Sequence, residues 1–337
     1  MDKSPMSFRA EREISRPVEI SRRSAPRNDK PEKLVIGVDG GGTHTRAQLA
    51  NARGEMLGSG EAGIANPHAN GYPAAQQEIL TAIQLAFDHA RIEKQMVTAA
   101  CLGIGGVDRA DERARLTEWA QTTIAPRVQV MNDGEIVLAA GSAENWGIAL
   151  IAGTGSIAWG KTRDGHMARA GGWGYLIGDE GSGFDLAREA LRAATHFADG
   201  RGEPTQLLDV ILAHWGLRSV AEIVPQVYRS GLKPADIAKI APLVIQTAAQ
   251  GDRVAQSLIV RAVVALADTV DAVARQLDFG DEKIPLALTG GLVLNAETLR
   301  AGLLRELENR GDRYSPVAVV RDPVMGAVRI AMKLIKE

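Results

Sequence analysis

The sequence has 337 residues, of which 45% are hydrophobic and 24% are charged, and its formal net charge is -2. This length favours about two domains, and the apolar content is sufficient for sizeable cores. The small net charge gives no general attraction to nucleic acid or to anionic membranes. The one cysteine, Cys101, cannot form an internal disulfide or a cysteine-bound cluster within a single chain. Because no run is long enough to span a bilayer and the start lacks a secretory signal, we expect a cytoplasmic protein.

The chain opens with a polar segment and then reaches a strand that ends in glycines. Residues 1–33 are rich in Arg, Ser, Pro and Glu without a sustained apolar period, which predicts a disordered tail. From Leu34 an apolar run leads into Asp39 and three glycines, and an alternating pattern resumes at Arg46. This pattern predicts two antiparallel strands joined by a glycine turn, with Asp39 at the mouth of the first strand.

The rest of the first half alternates strands and helices. A third strand, a helix with an apolar face, a continuous apolar strand, a second helix, a short strand and a further helix are predicted. Except for the last helix, they fall at residues 55–60, near 74–91, 97–104, 111–120 and 128–131.

The second half repeats this plan. A buried strand at 147–152 runs into a second glycine turn, and two more strands follow at 157–161 and near 166–170. A long helical region begins after Gly183 and includes a strongly periodic stretch over 254–273. A strand at 284–289 meets Gly290 and Gly291, and helices near 295–308 and 323–335 flank a last strand at 317–320. Two mixed α/β domains with a cleft between them are therefore predicted.

The glycine turns all follow strands, where a sheet presents backbone and short side chains to a cleft. Such turns leave N–H groups able to approach a polyphosphate, and a nearby carboxylate could hold Mg²⁺ through water. Two turns facing one another could hold a triphosphate from both sides, while the glycine pair before a helix would admit a flat purine. They lie at residues 39–43, 153–156 and 289–291.

These motifs together carry a resemblance. The chain resembles the BadF/BadG/BcrA/BcrD-type ATPase family and, within it, the N-acetylglucosamine and glucosamine kinases of the sugar kinase, Hsp70 and actin superfamily. The resemblance runs from about Leu34 to the C-terminus. It rests on Gly37–Thr43, Asn132–Gly134, Gly153–Ser156, Gly171–Gly174, Gly178–Ser182 and Thr289–Gly291.

The resemblance implies an α/β protein with two tandem ribonuclease-H-like domains and an interdomain cleft. It places the first domain at 34–136 together with a returning C-terminal helix at 323–337, and the second at 137–322. It implies an ATP- and Mg²⁺-dependent kinase that phosphorylates the primary 6-hydroxyl of N-acetylglucosamine or glucosamine, with Asp133 as the catalytic base. Family members are often dimers, so a homodimer is left open.

The resemblance also assigns the binding residues. Asp39 would organise Mg²⁺ through water. ATP and its phosphates would be bound by Asp39, Gly40, Gly41, Gly42, Thr43, Gly153, Thr154, Gly155, Ser156, Gly290 and Gly291. The sugar would be bound by Asn66, Gly105, Asp133, Trp173, Gly174 and Asp179. Gly105 stands where the animal N-acetylglucosamine kinases place a sugar-contacting serine, so one hydroxyl contact is missing and the identity of the acceptor stays open.

Each assignment has a simpler alternative. Asp133 stands in Asn-Asp-Gly, a common turn sequence, so it could be a plain turn residue. Trp173 could be a core residue. Asp179 and Glu180 could favour the start of a helix capped by Ser182. At the level of function, the alternative is an ATPase activator of a dehydratase or reductase. The lone Cys101 argues against it, because such activators hold an iron–sulfur cluster with more than one cysteine per subunit. A chaperone-like switch would need an appended substrate-binding domain, and a DNA-binding repressor would need a helix-turn-helix. The sequence has no pattern that predicts either one.

Overall fold

The computed structural model describes residues 33–336, which form two lobes of five strands each. The predicted tail at 1–33 lies, apart from its last residue, outside the described residues. The N-lobe contains β1 (Leu34–Gly40), β2 (Thr45–Asn51), β3 (Met56–Ala62), α1 (Pro67–Asn70), α2 (Tyr72–Ala90), β4 (Ala99–Ile104), α3 (Ala110–Thr123), β5 (Arg127–Met131) and α4 (Asp133–Gly141).

The C-lobe sheet contains β6 (Gly147–Ala152), β7 (Ser156–Lys161), β8 (Met167–Gly171), β9 (Ile284–Thr289) and β10 (Tyr314–Val319). Its helices are α5 (Gly183–Ala198), α6 (Leu207–Trp215), α7 (Ile223–Val227), α8 (Pro234–Ala238), α9 (Ala241–Ala249), α10 (Arg253–Gln276), α11 (Gly291–Asn295) and α12 (Glu297–Asn309). The last helix, α13 (Val324–Leu334), follows β10.

The two sheets have the same topology. The strand order is β3-β2-β1-β4-β5 in the N-lobe and β8-β7-β6-β9-β10 in the C-lobe. In each sheet four strands run in the same direction, and only the second, β2 or β7, runs opposite to them. Because the parallel strands β1, β4 and β5 end at one edge, the segments that follow them lie together. The recurring strand and glycine-turn plan predicted from the sequence is confirmed.

Small residues set how closely the helices approach the sheets. A Cβ added at Gly58 would lie 2.1 Å from the carbonyl oxygen of Ala86, and one at Gly60 would lie 2.2 Å from that of Ala82. Helix α2 therefore packs directly against the backbone of β3, and its apolar residues Ile79, Ile83 and Phe87 are buried.

Helix α4 lies between the two sheets. One face, with Ile136 and Ala139, packs in a core with β1, β4 and α13, whereas Val137 and Leu138 pack against residues of β6 and β9. The hydrophobic residues of this nine-residue helix therefore serve both lobes. The N-terminus of α4 points to the edge at which β1 and β4 end, since it follows β5 directly.

Helix α13 returns from the C-lobe to the N-lobe. It packs on β1 so closely that a Cβ added at Gly37 would lie 2.6 Å from the backbone nitrogen of Val328. It also crosses α4, where a Cβ at Gly326 would lie 1.9 Å from the carbonyl oxygen of Ile136. The boundary placed at 136/137 falls within α4, and the domain limits stay a prediction.

The predicted elements differ from the observed ones mainly in the C-lobe. The helix expected near 295–308 is α12, preceded by the short helix α11, and the single helical region after Gly183 is divided into α5 to α10. Within residues 33–336, no helix combines the length and apolar character that crossing a membrane requires.

Candidate active site

Asp133 is the first residue of α4, at the junction of the two lobes. Asn132 caps this helix, because its Oδ1 accepts a hydrogen bond from the Gly134 N–H at 2.8 Å. Asp133 Oδ1 accepts from the same N–H at 3.0 Å. A Cβ added at Gly134 would lie 2.6 Å from the ring of Trp159 on β7, so the C-lobe packs directly against the first turn of α4, next to Asp133.

The environment of Asp133 favours its protonated form. Burial raises the pKa of Asp133 to about 6; the Gly134 N–H opposes this rise, and the Asp108 carboxylate adds to it. A carboxylate whose pKa lies near neutrality is suited to accept a proton from a hydroxyl group. The alternative of a plain turn aspartate accounts for the N-terminal helix position but not for its placement between the lobes.

Asp39 lies close enough to Asp133 for the two carboxylates to interact. Burial raises the pKa of Asp39 to about 7; the negative charges of Asp133 and Asp322 add to this, and Arg46 on β2 opposes it. The neighbouring negative charges favour a cation near Asp39. Among residues 33–336 no cluster of three or more His, Cys, Asp or Glu side chains could hold a metal ion directly, so this single carboxylate suits an Mg²⁺ that it contacts through water.

The first glycine loop (residues 39–43) is short and open to solvent. The Gly41 N–H donates to the carbonyl oxygen of His44 at 3.0 Å, which closes the turn, whereas Gly42 and Thr43 are exposed. The Thr43 hydroxyl lies 3.0 Å from His44 Nδ1. The backbone N–H of Asn66 donates to the Gly41 carbonyl at 3.3 Å, so the loop is tied to the segment before α1.

Two further glycine loops meet in the C-lobe. A Cβ added at Gly153 would lie 3.4 Å from the backbone nitrogen of Gly291, so the loops at 153–156 and 289–291 are neighbours. Gly290 has a φ of 100°, and a Cβ there would lie 2.4 Å from the carbonyl oxygen of Ala152. Only glycine meets both requirements, which explains the glycine pair at this point.

Asp179 is held against the second glycine loop. Its backbone has a φ of 62°, and its Oδ2 would lie 2.7 Å from a Cβ at Gly155. The hydroxyl of Ser156 donates to the Glu180 carbonyl at 2.8 Å, so its hydrogen is already engaged in a hydrogen bond within the C-lobe. Burial raises the pKa of Asp179, although the Ser156 N–H opposes the rise. Glu180 itself is exposed, and Ser182 caps α5 by accepting from the Asp185 N–H.

The Trp173 loop (residues 171–179) presents apolar side chains to solvent. Trp173 is 63% exposed, which excludes the core alternative, and Leu176 and Ile177 are exposed by more than three quarters. The Arg169 guanidinium carbon lies 4.6 Å from the Trp173 ring centroid, so a cation stacks on the indole. Gly174 precedes this apolar stretch with a φ of 85°.

Gly105 and Asn66 line the same edge of the N-lobe. A Cβ added at Gly105 would lie 3.0 Å from Asp133 Oδ2 and 3.6 Å from the carbonyl oxygen of Gly40, so Gly105 lies beside both Asp133 and the first glycine loop. Asn66 caps α1 by accepting from the His68 N–H at 2.9 Å. A Cβ at Gly106 would lie 2.9 Å from Asn66 Oδ1, so the segment after β4 packs closely against Asn66.

The structure therefore forms two groups of contacts within the sequence-predicted site. One joins Asp39, Gly105 and Asp133, and the other joins the glycine loops of the C-lobe with Asp179. Sequence reasoning missed Arg46, Asp108, Arg169 and Asp322. Arg46 could have been found, since it follows the glycine turn of the predicted strand pair and lies opposite Asp39 in the observed register. The others depend on contacts between distant segments and left no local signal.

Two sheets of identical order, joined by a shared helix with a carboxylate at its start, define the two-lobed α/β fold of the actin-like class. The chain belongs to the BadF/BadG/BcrA/BcrD ATPase family, whose model matches residues 36–331.

Relatives of known designation match almost their whole length. An N-acetylmuramic acid/N-acetylglucosamine kinase of Clostridium acetobutylicum is 31% identical, with 89% of this chain and 98% of the relative covered. An N-acetyl-D-glucosamine kinase of Dictyostelium discoideum is 29% identical over the same shares. Among solved structures, a proposed N-acetylglucosamine kinase of Chromobacterium violaceum superposes with a TM-score of 0.71 at 30% identity, covering 89% of this chain and 99% of that one.

Proposed function

We propose that the protein is an ATP-dependent kinase that phosphorylates the 6-hydroxyl of N-acetylglucosamine or glucosamine. The observation that carries the proposal is the position of Asp133, a carboxylate with a pKa of about 6 at the junction of the lobes, beside Gly105 and close to Asp39. Relatives that match over nearly their full length are designated as amino-sugar kinases, which supports an acceptor of the same class. Its use of ATP agrees with the cytoplasmic location expected from the sequence.

Asp133 acts as the general base in this proposal. Its carboxylate accepts the proton of the sugar hydroxyl as that oxygen attacks the γ-phosphorus of ATP, and ADP leaves. Such a base contributes about 10²- to 10⁴-fold to the rate. The cap formed by Asn132 fixes the first turn of α4, so the carboxylate is oriented before the substrate arrives.

The glycine loops bind and position the nucleotide. Their backbone N–H groups and small residues allow close approach of phosphate oxygens, and Gly290 and Gly291 leave room for the purine. Mg²⁺ bound near Asp39 would neutralise charge on the phosphates, which supplies much of the catalysis in phosphoryl transfer. Asn66, Trp173 and Asp179 are proposed to bind the sugar, with Trp173 covering its apolar face.

The activator alternative receives no support from the cysteine. Cys101 is fully buried in β4, and burial raises the pKa of its thiol far above the ordinary value. A thiolate ligand for an iron–sulfur cluster is therefore disfavoured at this position.

A sugar panel tests the proposal directly. ADP release would be measured with Mg²⁺ and ATP in the presence of N-acetylglucosamine, glucosamine, glucose, N-acetylmannosamine or N-acetylmuramic acid, and the phosphorylated position would be read by NMR. We expect ADP release that depends on an amino sugar and yields the 6-phosphate. Hydrolysis at the same rate with and without every sugar would overturn the kinase assignment.

A further inference from the structure

Asp108, in the loop between β4 and α3, lies between the base-bearing helix and the other lobe. Its Oδ1 accepts a hydrogen bond from Asn132 Nδ2 at 2.6 Å. Its Oδ2 lies 3.9 Å from Nε of Arg169, which belongs to β8 in the C-lobe. The two oxygens of one carboxylate thus face different lobes.

The contact with Asn132 determines how that amide is oriented. Asn132 is 2% exposed, and its Oδ1 must accept from Gly134 while its Nδ2 must donate. Asp108 supplies the acceptor that Nδ2 needs. Without it a buried donor would lack this partner, which is unfavourable because the group is also shielded from water. The amide could then turn and release the first turn of α4, where Asp133 begins.

The contact with Arg169 links this position to the Trp173 loop. Arg169 donates from a terminal nitrogen to the Gly171 carbonyl at 3.1 Å and stacks on Trp173. Its separation of 3.9 Å from Asp108 exceeds the length of a direct charge-assisted hydrogen bond, about 2.7–2.9 Å. An approach of the lobes by about 1 Å would convert this long pair into a direct one.

We propose that Asp108 is a positioning residue for Asp133, and that Arg169 engages Asp108 when the lobes approach, so that the base is aligned when the Trp173 loop is in place. Asp108 acts through Asn132, and Arg169 acts through Asp108; neither needs to touch the phosphoryl group. The proposal rests on the proposed kinase function. It extends that function by making alignment of the base depend on a pair of residues from different lobes.

Two variants of Asp108 separate its two contacts. Asp108→Asn keeps an oxygen that can accept from Asn132 but removes the charge that faces Arg169, whereas Asp108→Ala removes both. Arg169→Gln removes the charge from the other side, and Arg169→Lys restores a charge without the planar guanidinium. Asp111→Asn and Arg163→Gln are matched controls, because both residues are exposed and form ion pairs with partners other than Asp108 and Arg169.

Steady-state kinetics with ATP and the preferred amino sugar test the proposal. We expect Asp108→Asn and Arg169→Gln each to lower kcat by about 10- to 100-fold, as small misplacements of catalytic groups do, with the KM of either substrate changed less than about threefold. The double variant should be no slower than the worse single variant, since both changes break one pair. Arg169→Lys should recover part of the rate, and both controls should match the unaltered protein.

The outcomes that would overturn the proposal are distinct. A higher sugar KM with unchanged kcat in Arg169→Gln would make Arg169 a binding residue. Multiplicative losses in the double variant would show that the two residues act separately. Unchanged kinetics in Asp108→Asn and Arg169→Gln would leave Asp108 a structural cap, whatever the rate of Asp108→Ala. An unaltered protein that phosphorylates no sugar would instead refute the kinase function itself.

Discussion

Replacing Asp133 by asparagine should abolish most activity and yet stabilise the ligand-free protein. Burial and Asp108 raise the pKa of Asp133 from an ordinary 3.8 to about 6, so the charged form is disfavoured in the folded state. At 1.36 kcal/mol per pKa unit, this difference corresponds to about 3 kcal/mol at neutral pH. Because water reaches part of this residue, we expect about 1–2 kcal/mol of it to appear as added stability.

The sign of this effect fixes its pH dependence. Since the pKa is higher in the folded state, folding binds a proton between about pH 4 and pH 6, and the stability of the unaltered protein falls as the pH rises through this window. The advantage of Asp133→Asn should therefore be full above about pH 7 and absent below about pH 4.

Thermal unfolding followed by circular dichroism measures the difference. A gain of about 1–2 kcal/mol should raise Tm by about 2–3 °C at pH 7.5, with Asp111→Asn as the control. In the kinase assay the same variant should lose about 10²- to 10⁴-fold in kcat while still binding ATP. Equal Tm values at pH 7.5, or normal turnover, would refute the reasoning about the buried carboxylate.

Three further predictions concern the same site. The kcat/KM for the sugar should fall below a pH near 6, because protonation of Asp133 removes the base, and a profile flat to pH 5 would contradict this. Gly105→Ala should lower kcat by only about 2- to 5-fold, since its Cβ would lie 3.0 Å from Asp133 Oδ2 and would displace the carboxylate by a few tenths of an ångström; a loss of 100-fold or more would show that the carboxylate cannot move aside. Gly290→Ala should raise the KM for ATP and lower stability by more than about 1 kcal/mol, because its Cβ would press on the Ala152 carbonyl at a φ of 100°, as nucleotide titration and thermal unfolding would show.

The strand and glycine-turn plan could be predicted from the sequence because its signals are local. Apolar runs that end in glycines mark both β1 and β6, and the strands predicted at 147–152 and 284–289 match the structure residue for residue. The divisions between α5 and α10 could not be predicted to the same degree, since short helices there depend on packing against the core rather than on their own periodicity.

Within the site, the glycine loops and Asp133 were accessible from motifs, whereas the ion pair of Asp108 with Arg169 was not. These two residues are far apart in sequence, and each alone is of a type that is common on any protein surface. Their relation arises only when β8 is placed beside the loop after β4. The roles of Asn66 and Trp173 toward a sugar stay predictions, although the structure shows Trp173 exposed and Asn66 at the edge that carries Asp133.

The intermediate place of α4 has a mechanical consequence. Because α4 packs against both sheets, a rotation of the lobes about this helix would displace Asp133, at its N-terminus, much less than the outlying loops. Ligand groups would then be brought to a carboxylate that keeps its position. Cutting the chain within α4 would expose apolar surface on both pieces, so neither half should be expected to fold well when expressed alone.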